Sequence, residues 1–468
     1  EMSASLVGSE MCIRDRINSL MLMACHLLYF IRQSKKSMKN KMIIVCVLLG
    51  LVLPLDGQTT LDDCIHYAWK HNLEFKNTQI EVQEAHTDYV AAMGKFMPSV
   101  SVQAEVGRHI GRSIDPGTNG YTSDSYNQGT VGMDVTLSLF EGFTRINRLR
   151  FTRLVQKEKE WSRLAKQNEL AYQVVEAYYK VVLDEKLLQL AEEQLLLGKR
   201  YLKQTETFLT LGLRSVSDLQ EVKARHQGDV FRYSSYAKNR KMSLLYLKEL
   251  IGMKSSAELA VVCADEDSVL ALPVTNADEL YWQSTRVLPD YKKMEMWERI
   301  ARKELAIASG QFSPTIYARF SWGSDFYNSL FSLHQIRDHW NKYIGVGVSF
   351  PLFTGLDRYA SLRKKKLNVA RVRNRIEAKN NNLRIETEQV TLSLYAGWEE
   401  HRQAMLQVQA ETQVLKETER KWEEGLVSVF QLMESRNRLL SAKAEQVRTR
   451  LQYELALRLA DYYRTGSF

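Results

Sequence analysis

The residues able to do chemistry are thinly spread. The eight histidines beyond residue 57 are scattered, and His334 and His339 fall in a loop. No Gly-x-x-x-x-Gly-Lys-Ser/Thr, His-Glu-x-x-His, Cys-x-x-Cys or nucleophile elbow occurs, so neither a phosphate cradle, a zinc site nor an activated serine is expected. Gly345-Val-Gly347 is a lone glycine pair in an alternating stretch and reads as close backbone packing. The expectation is no enzyme, no metal and no cofactor. What remains is charge placed beside turns. Asp218 and Glu221 follow one Gly-Leu-x-Ser-Val turn, and Glu434 follows another. Carboxylates there could gather cations, or could simply be solvated on a helix. A basic set, Arg145, Arg148, Arg150 and Arg153, has a counterpart in Arg358, Arg363 and Lys366, with Lys364 and Lys365 added. Such runs are usually a solvated helix face. Repetition directly after two strand pairs suggests contact with anionic lipid head groups.

The elements that must carry these charges come in two copies. Gly94-Lys-Phe-Met-Pro98 returns as Gly310-Gln-Phe-Ser-Pro314, 216 residues later. Leu139-Phe-Glu-Gly142 returns as Leu352-Phe-Thr-Gly355, and Gly212-Leu-Arg-Ser-Val216 as Gly425-Leu-Val-Ser-Val429, both at 213. Three motifs in one order at nearly one offset indicate tandem duplication. The halves are expected at 58–272 and 273–468, joined by an acidic, irregular stretch.

Each half reads in the same order of periods. A helical stretch comes first, about 61–93 and 276–309. Period-two alternation follows: Val100, Val102, Ala104 and Val106; then Val131, Met133, Val135, Leu137 and Leu139. In the second half the alternating sets are Ile316, Ala318, Phe320 and Trp322, then Ile344, Val346, Val348 and Phe350. Each run is about ten residues, enough to span a bilayer when tilted. Tyr121, Tyr126, Trp340 and Tyr343 lie near the strand ends, where an aromatic girdle belongs. The period then returns to helix. Trp161, Leu164, Asn168, Ala171, Val175, Tyr178 and Val182 step by three and four, as do Val408, Leu415 and Trp422 by heptads. About 65 residues of helix reach a Gly-Leu-x-Ser-Val turn, and a second helix returns. At the turns, Gly212 and Gly425 would end helices and Ser215 and Ser428 would cap the next ones. Leu213 and Leu426 are apolar at exposed turns, which capping does not require.

Composition bounds the class. The 468 residues carry a net charge of +9, 45% hydrophobic and 25% charged residues, with only 7 prolines and 23 glycines. That is too apolar for disorder and too charged for a helical membrane bundle. No apolar run reaches about 18 residues. Residues 1–16 read as a translated sequencing adaptor, and 17–57 as a signal-peptide region with a basic segment before an apolar core. Cys46 lies in that core without the small residues a lipid-anchor site needs. Export weakens the nucleic-acid reading of the basic charge, and no nucleic acid is expected as partner. Cys64 and Cys263 could form one disulfide or stay as two buried thiols.

Four strands cannot close a barrel with a lumen, and open edges are not tolerated in lipid. Several chains must therefore pool strands, and eight strands leave a filled interior whereas larger barrels leave a channel. At this point the sequence resembles the TolC family of outer-membrane channel proteins, through the duplication, the two Leu-Phe-x-Gly junctions and the two Gly-Leu-x-Ser-Val turns. The resemblance covers 58–468. It implies an α+β membrane protein: a homotrimer with one 12-stranded barrel, four strands per chain, above a tunnel of coiled-coil hairpins. It implies the outer membrane of a Gram-negative cell, a periplasmic adaptor docking at the tips Gly212, Leu213, Ser215, Gly425, Leu426 and Ser428, and an inner-membrane pump of RND or ABC type. It makes Asp218, Glu221, Trp422, Gln431 and Glu434 the periplasmic entrance, with Trp422 where a gating tyrosine usually stands. Gln431 replaces an expected acid and Val427 a basic residue, so fewer ionic links are expected at the gate. The resulting function is a passive conduit of a tripartite efflux or type I secretion system. The alternative is a non-conducting, barrel-anchored coiled-coil spacer.

Overall fold

The architecture follows from where the period of the sequence changes. The structure, a computed structural model, describes residues 59–114, 119–123, 125–262, 275–328 and 339–468. The leader, the join at 272/273, Cys263 and His334 lie outside them. Two short helices open the described chain, α1 (Leu61–His71) and α2 (Leu73–Gly94). Strand β1 (Ser99–His109) follows, then a small ribbon of β2 (Ser113–Ile114) and β3 (Tyr121–Thr122), then β4 (Tyr126–Glu141). A 67-residue helix α3 (Thr144–Thr210) and a returning α4 (Val216–Ile251) complete the first half. The order then repeats: α5 (Ala277–Val287), α6 (Pro289–Gly310), β5 (Thr315–Asn328), β6 (Trp340–Ser349), the 67-residue α7 (Asp357–Glu423) and α8 (Val429–Thr465).

Local chemistry sets these boundaries. Thr60 and Asp63 form a capping box at α1, Asn72 accepts from Phe75 N at 2.9 Å to start α2, and Pro289 occupies the first turn of α6. Gly252 and Gly466 end α4 and α8 with φ of 75° and 81°, a region that costs L-residues their Cβ clearance. At about 1.5 Å per residue, α3 and α7 each run on the order of 100 Å.

The four long strands form one antiparallel sheet in the order β1-β4-β5-β6. Inner strands β4 and β5 are 16 and 14 residues, longer than expected; edge strands β1 and β6 are 11 and 10. An inner strand is paired on both sides, so its ends are held where an edge strand frays. The register aligns the alternation across the sheet. Val100, Val135, Phe320 and Ile344 form one row and Val102, Met133 and Trp322 another on the same face, ending in Lys342 on β6. Ser101, Asp134, Ser321 and Tyr343 form a row on the opposite face. The sheet is thus largely apolar on one side, Lys342 and Ser324 excepted, and polar on the other. Leu139 bulges out between Ser138 and Phe140. Among the described residues no helix is long and apolar enough to cross a membrane.

The helical cores are local. Cys64, Ile65, Ala68 and Phe75 pack on Val174, Val175, Val181, Leu247 and Ile251. Ala171, Val175, Tyr178 and Val182 of the expected seam are buried, whereas Trp161 and Leu164 are half-buried. Burial pushes the Cys64 thiol up to about 12, with Asp63 adding to it. Leu280, Val390, Leu394, Tyr453 and Ala460 form a second cluster. Near the turns a third cluster joins Tyr201, Val222, Leu415, Trp422, Val429, Leu432 and Met433.

Candidate functional site: hairpin tips and strand–helix junctions

Both tips are built by the same two devices. Gly212 and Gly425 adopt φ of 72° and 78°. Leu213 N then donates to Phe208 O at 2.9 Å and Leu426 N to Lys421 O at 2.8 Å, closing the helix ends. Ser215 and Ser428 cap the returning helices in reciprocal boxes. Asp218 accepts from Ser215 N at 3.0 Å, and Gln431 accepts from Ser428 N at 3.3 Å. The third helical position needs only an acceptor oxygen, so glutamine does there what aspartate does in the other half. Asp218 is thereby committed to its own helix end. Glu221 is half-buried and Glu434 exposed in the second turns of α4 and α8. Leu213 and Leu426 are 66% and 70% exposed, so the caps leave both side chains in solvent.

Trp422 sits inside the fold, 1% exposed, where its ring meets Tyr201 at 5.8 Å and Phe208 at 5.6 Å between centroids. Among the described residues its indole Nε1 has no hydrogen-bond partner. Sequence reasoning missed the residue that reaches it. Arg214, in the first tip, donates from Nη2 to Trp422 O at 2.7 Å and lies 5.5 Å from the ring centroid. Val427, at the matching place in the second tip, packs into the apolar cluster instead. Higher up, Tyr201 donates to Glu419, and burial together with that bond raises the phenol's pKa. Arg436 and Asp229 form a buried ion pair at 2.7 Å, each 4% exposed, with Arg436 Nε also donating to Gln194 Oε1 at 2.7 Å. Gly198 makes room for this pair, since a Cβ there would strike Asp229. These links tie the first hairpin to the second. Their members lie 207 to 242 residues apart, close to the repeat offset, which was the signal available in the sequence.

The basic residues divide into two kinds. Arg145 donates to Lys95 O at 3.1 Å and to Ser138 O, and its guanidinium lies 5.2 Å from the Phe96 ring centroid. Arg358, its counterpart, donates to Gln311 O at 2.7 Å. Lys95 and Gln311 cap the C-termini of α2 and α6, so both arginines neutralise helix-end carbonyls at a junction. Arg148, Arg150, Arg153, Arg363 and Lys366 are exposed. Junction geometry also explains the repeated glycines. Gly142 and Phe143 take φ of 58° and 60°, Gly355 and Leu356 62° and 68°, turning strand into helix within two residues. A Cβ on Gly142 would collide with Gly310 O. Among the described residues no cluster of three or more His, Cys, Asp or Glu could hold a metal ion.

Residues 64–253 match the family model described as outer membrane efflux protein. That match makes this part of the chain similar to the family. The chain's fold is that of solved outer-membrane proteins at low identity. A membrane protein from Pseudomonas aeruginosa superposes with a TM-score of 0.76 at 15% identity, covering 87% of this chain and 90% of that one. The outer membrane protein VceC of Vibrio cholerae gives 0.74 at 15%, covering 87% and 96%. The CmeC outer membrane channel of Campylobacter jejuni gives 0.74 at 15%, covering 87% and 86%. No curated protein sequence matches the chain. The likeness to these structures is one of fold, carried over most of the chain at low identity.

Proposed function

We propose that three copies of the chain form a passive conduit from periplasm to exterior in the outer membrane of a Gram-negative cell. The observation that carries this is the sheet. One face is largely apolar across four strands, the other polar, and among the described residues no strand pairs with either edge. Lipid accepts the first face and water the second, but neither accepts an open edge, so strands from several chains must close a 12-stranded barrel. The hairpins then extend into the periplasm. Their exposed leucines, Leu213 and Leu426, are the surface for a periplasmic adaptor coupled to an inner-membrane pump, and the exposed arginines below the sheet face lipid head groups. Threefold repetition of the exposed Glu434 would put a carboxylate ring near the entrance, where fields add.

Purified protein in planar bilayers tests this. The expected outcome is stepwise conductance with a cation-selective reversal potential in a salt gradient, shifted toward zero by Glu434→Gln. Insertion without conductance would return the chain to the reading of a structural spacer.

A further inference from the structure

The duplication gives each helical groove of the chain a counterpart in the other half. Residues of α2 map onto α6 by adding 216, and those of α3 onto α7 by adding 213. Two ion pairs cross the groove between α2 and α3. Lys159 Nζ lies 2.7 Å from Glu81 Oε2, and Lys166 Nζ lies 2.8 Å from Glu74 Oε1. Neither bridge recurs between α6 and α7. Lys159 and Glu81 become Val372 and Trp297. Lys166 and Glu74 become Lys379 and Asp290, which keep the charges but not the bond. Asp290 is one methylene shorter than glutamate. It lies 2.7 Å from Lys293 instead, a residue whose counterpart is the uncharged Asn77.

A cleft stands where the bridges are missing. Its volume is about 290 Å³, and it is lined by the start of α6, residues 375–386 of α7 and the end of α8. That volume is at the lower end of small-molecule sites. The floor is apolar: Leu288, Met294 and Leu383 are buried. Half-buried aromatic rings, Trp297 and Tyr291 among them, form the walls. At one end Arg375 and Lys379 stand one turn apart on α7. The Arg375 guanidinium lies 4.0 Å from the Trp297 ring centroid. Among the described residues neither cation has a carboxylate partner. At the other end Glu386 accepts from Tyr463 Oη at 3.1 Å. Lys379 and Glu386 are seven residues apart, roughly 10 Å along the helix.

These features define what fits. Two unpaired cations call for one acid group, and the planar fork of arginine suits a carboxylate or sulfonate. Aromatic walls over an apolar floor call for a flat apolar body. Glu386 repels a second negative charge at the far end. We infer that the cleft binds small aromatic monoanions, an arene carboxylate or sulfonate. The acid group meets Arg375 and Lys379, and the ring lies against Met294 and Leu383. The ligand thus ties α6 to α7 where ion pairs tie α2 to α3. All the lining residues belong to one chain, so the site does not depend on how copies assemble.

Calorimetric titration of full-length protein in non-ionic detergent tests this, with naphthalene-2-sulfonate as probe and detergent alone as blank. The expected result is saturable binding of one probe per chain. Neutral naphthalene-2-sulfonamide and ring-free methanesulfonate should each bind about tenfold more weakly or worse. Equal binding of the sulfonamide would remove the role of the cations, and equal binding of methanesulfonate that of the aromatic walls. Arg375 and Lys379 are exposed, so Arg375→Gln with Lys379→Gln should leave helix content by circular dichroism unchanged. The same pair of changes should weaken the probe about tenfold or more. Asp290→Glu is an independent arm. It restores the reach that Glu74 has toward Lys166, so a bridge to Lys379 should close the cleft and weaken the probe comparably. Affinity retained in both variants, or no saturable binding in the original chain, would overturn the inference. Weakening by the double variant but not by Asp290→Glu would overturn the missing bridge as the origin of the cleft.

Discussion

Arg214 and Trp422 carry the contact between the two tips, and each is informative because its neighbour in the repeat differs. Only the first tip has an arginine; the second has Val427 in the apolar cluster. A charged donor on a backbone carbonyl contributes about 1.5–3 kcal/mol, less where water reaches it. If the tips must part for passage, this bond holds them closed. Arg214→Ala should raise the open probability in single-channel recordings, and an unchanged open probability would remove the latch. Trp422→Phe should behave differently. It keeps the aromatic packing on Tyr201 and Phe208 but deletes an indole N–H that is buried without a partner among the described residues. Its thermal unfolding midpoint should match or exceed that of the original chain. A clear fall would mean that the N–H has a partner in the assembly.

The junctions between strand and helix are the elements most dependent on single residues. Gly142 combines a left-handed φ with a carbonyl against its Cα, whereas Gly355 has the φ alone. A left-handed conformation costs an L-residue roughly 1–2 kcal/mol. In the single chain, Gly355→Ala should therefore cost about that much, and Gly142→Ala substantially more, since the Gly310 carbonyl must also move. Denaturant unfolding of detergent-solubilised single chains measures the difference. Equal effects would show that the α6 end yields freely. Arg145 and Arg358 belong to the same element. Each holds a helix C-terminus beside the start of a long helix, whereas Arg148, Arg150, Arg153, Arg363 and Lys366 are exposed and are the ones to which the proposed lipid contact applies.

For the whole molecule the decisive feature is incompleteness. A four-stranded sheet with one apolar face and two open edges is unstable alone in a bilayer, because each unpaired N–H and C=O costs free energy there. A folded monomer should therefore be absent from membranes. Crosslinking of protein in intact vesicles with a lysine-reactive reagent should trap three-chain species as the major product. Trapping of single chains as the major membrane form would refute pooled strands.

The sequence by itself determined the duplication, the order of helix and strand, the turn glycines and the two-faced alternation, because periods of 2 and 3.6 and the caps that end them are local properties. It also pointed to the capped tips, since Gly-Leu-x-Ser-Val needs no distant partner. Tertiary structure decided what the charged residues do. Asp218 and Gln431 share a capping role despite their different charge, Trp422 lies under Arg214, and Arg436 is buried with Asp229. It decided also that Leu139 bulges and that Arg145 and Arg358 close helix ends. The interhelical contacts join residues about 200 positions apart, and Arg358 reaches across 47. Spacing along the chain records which face of an element is apolar; it does not record which distant carbonyl a guanidinium will find.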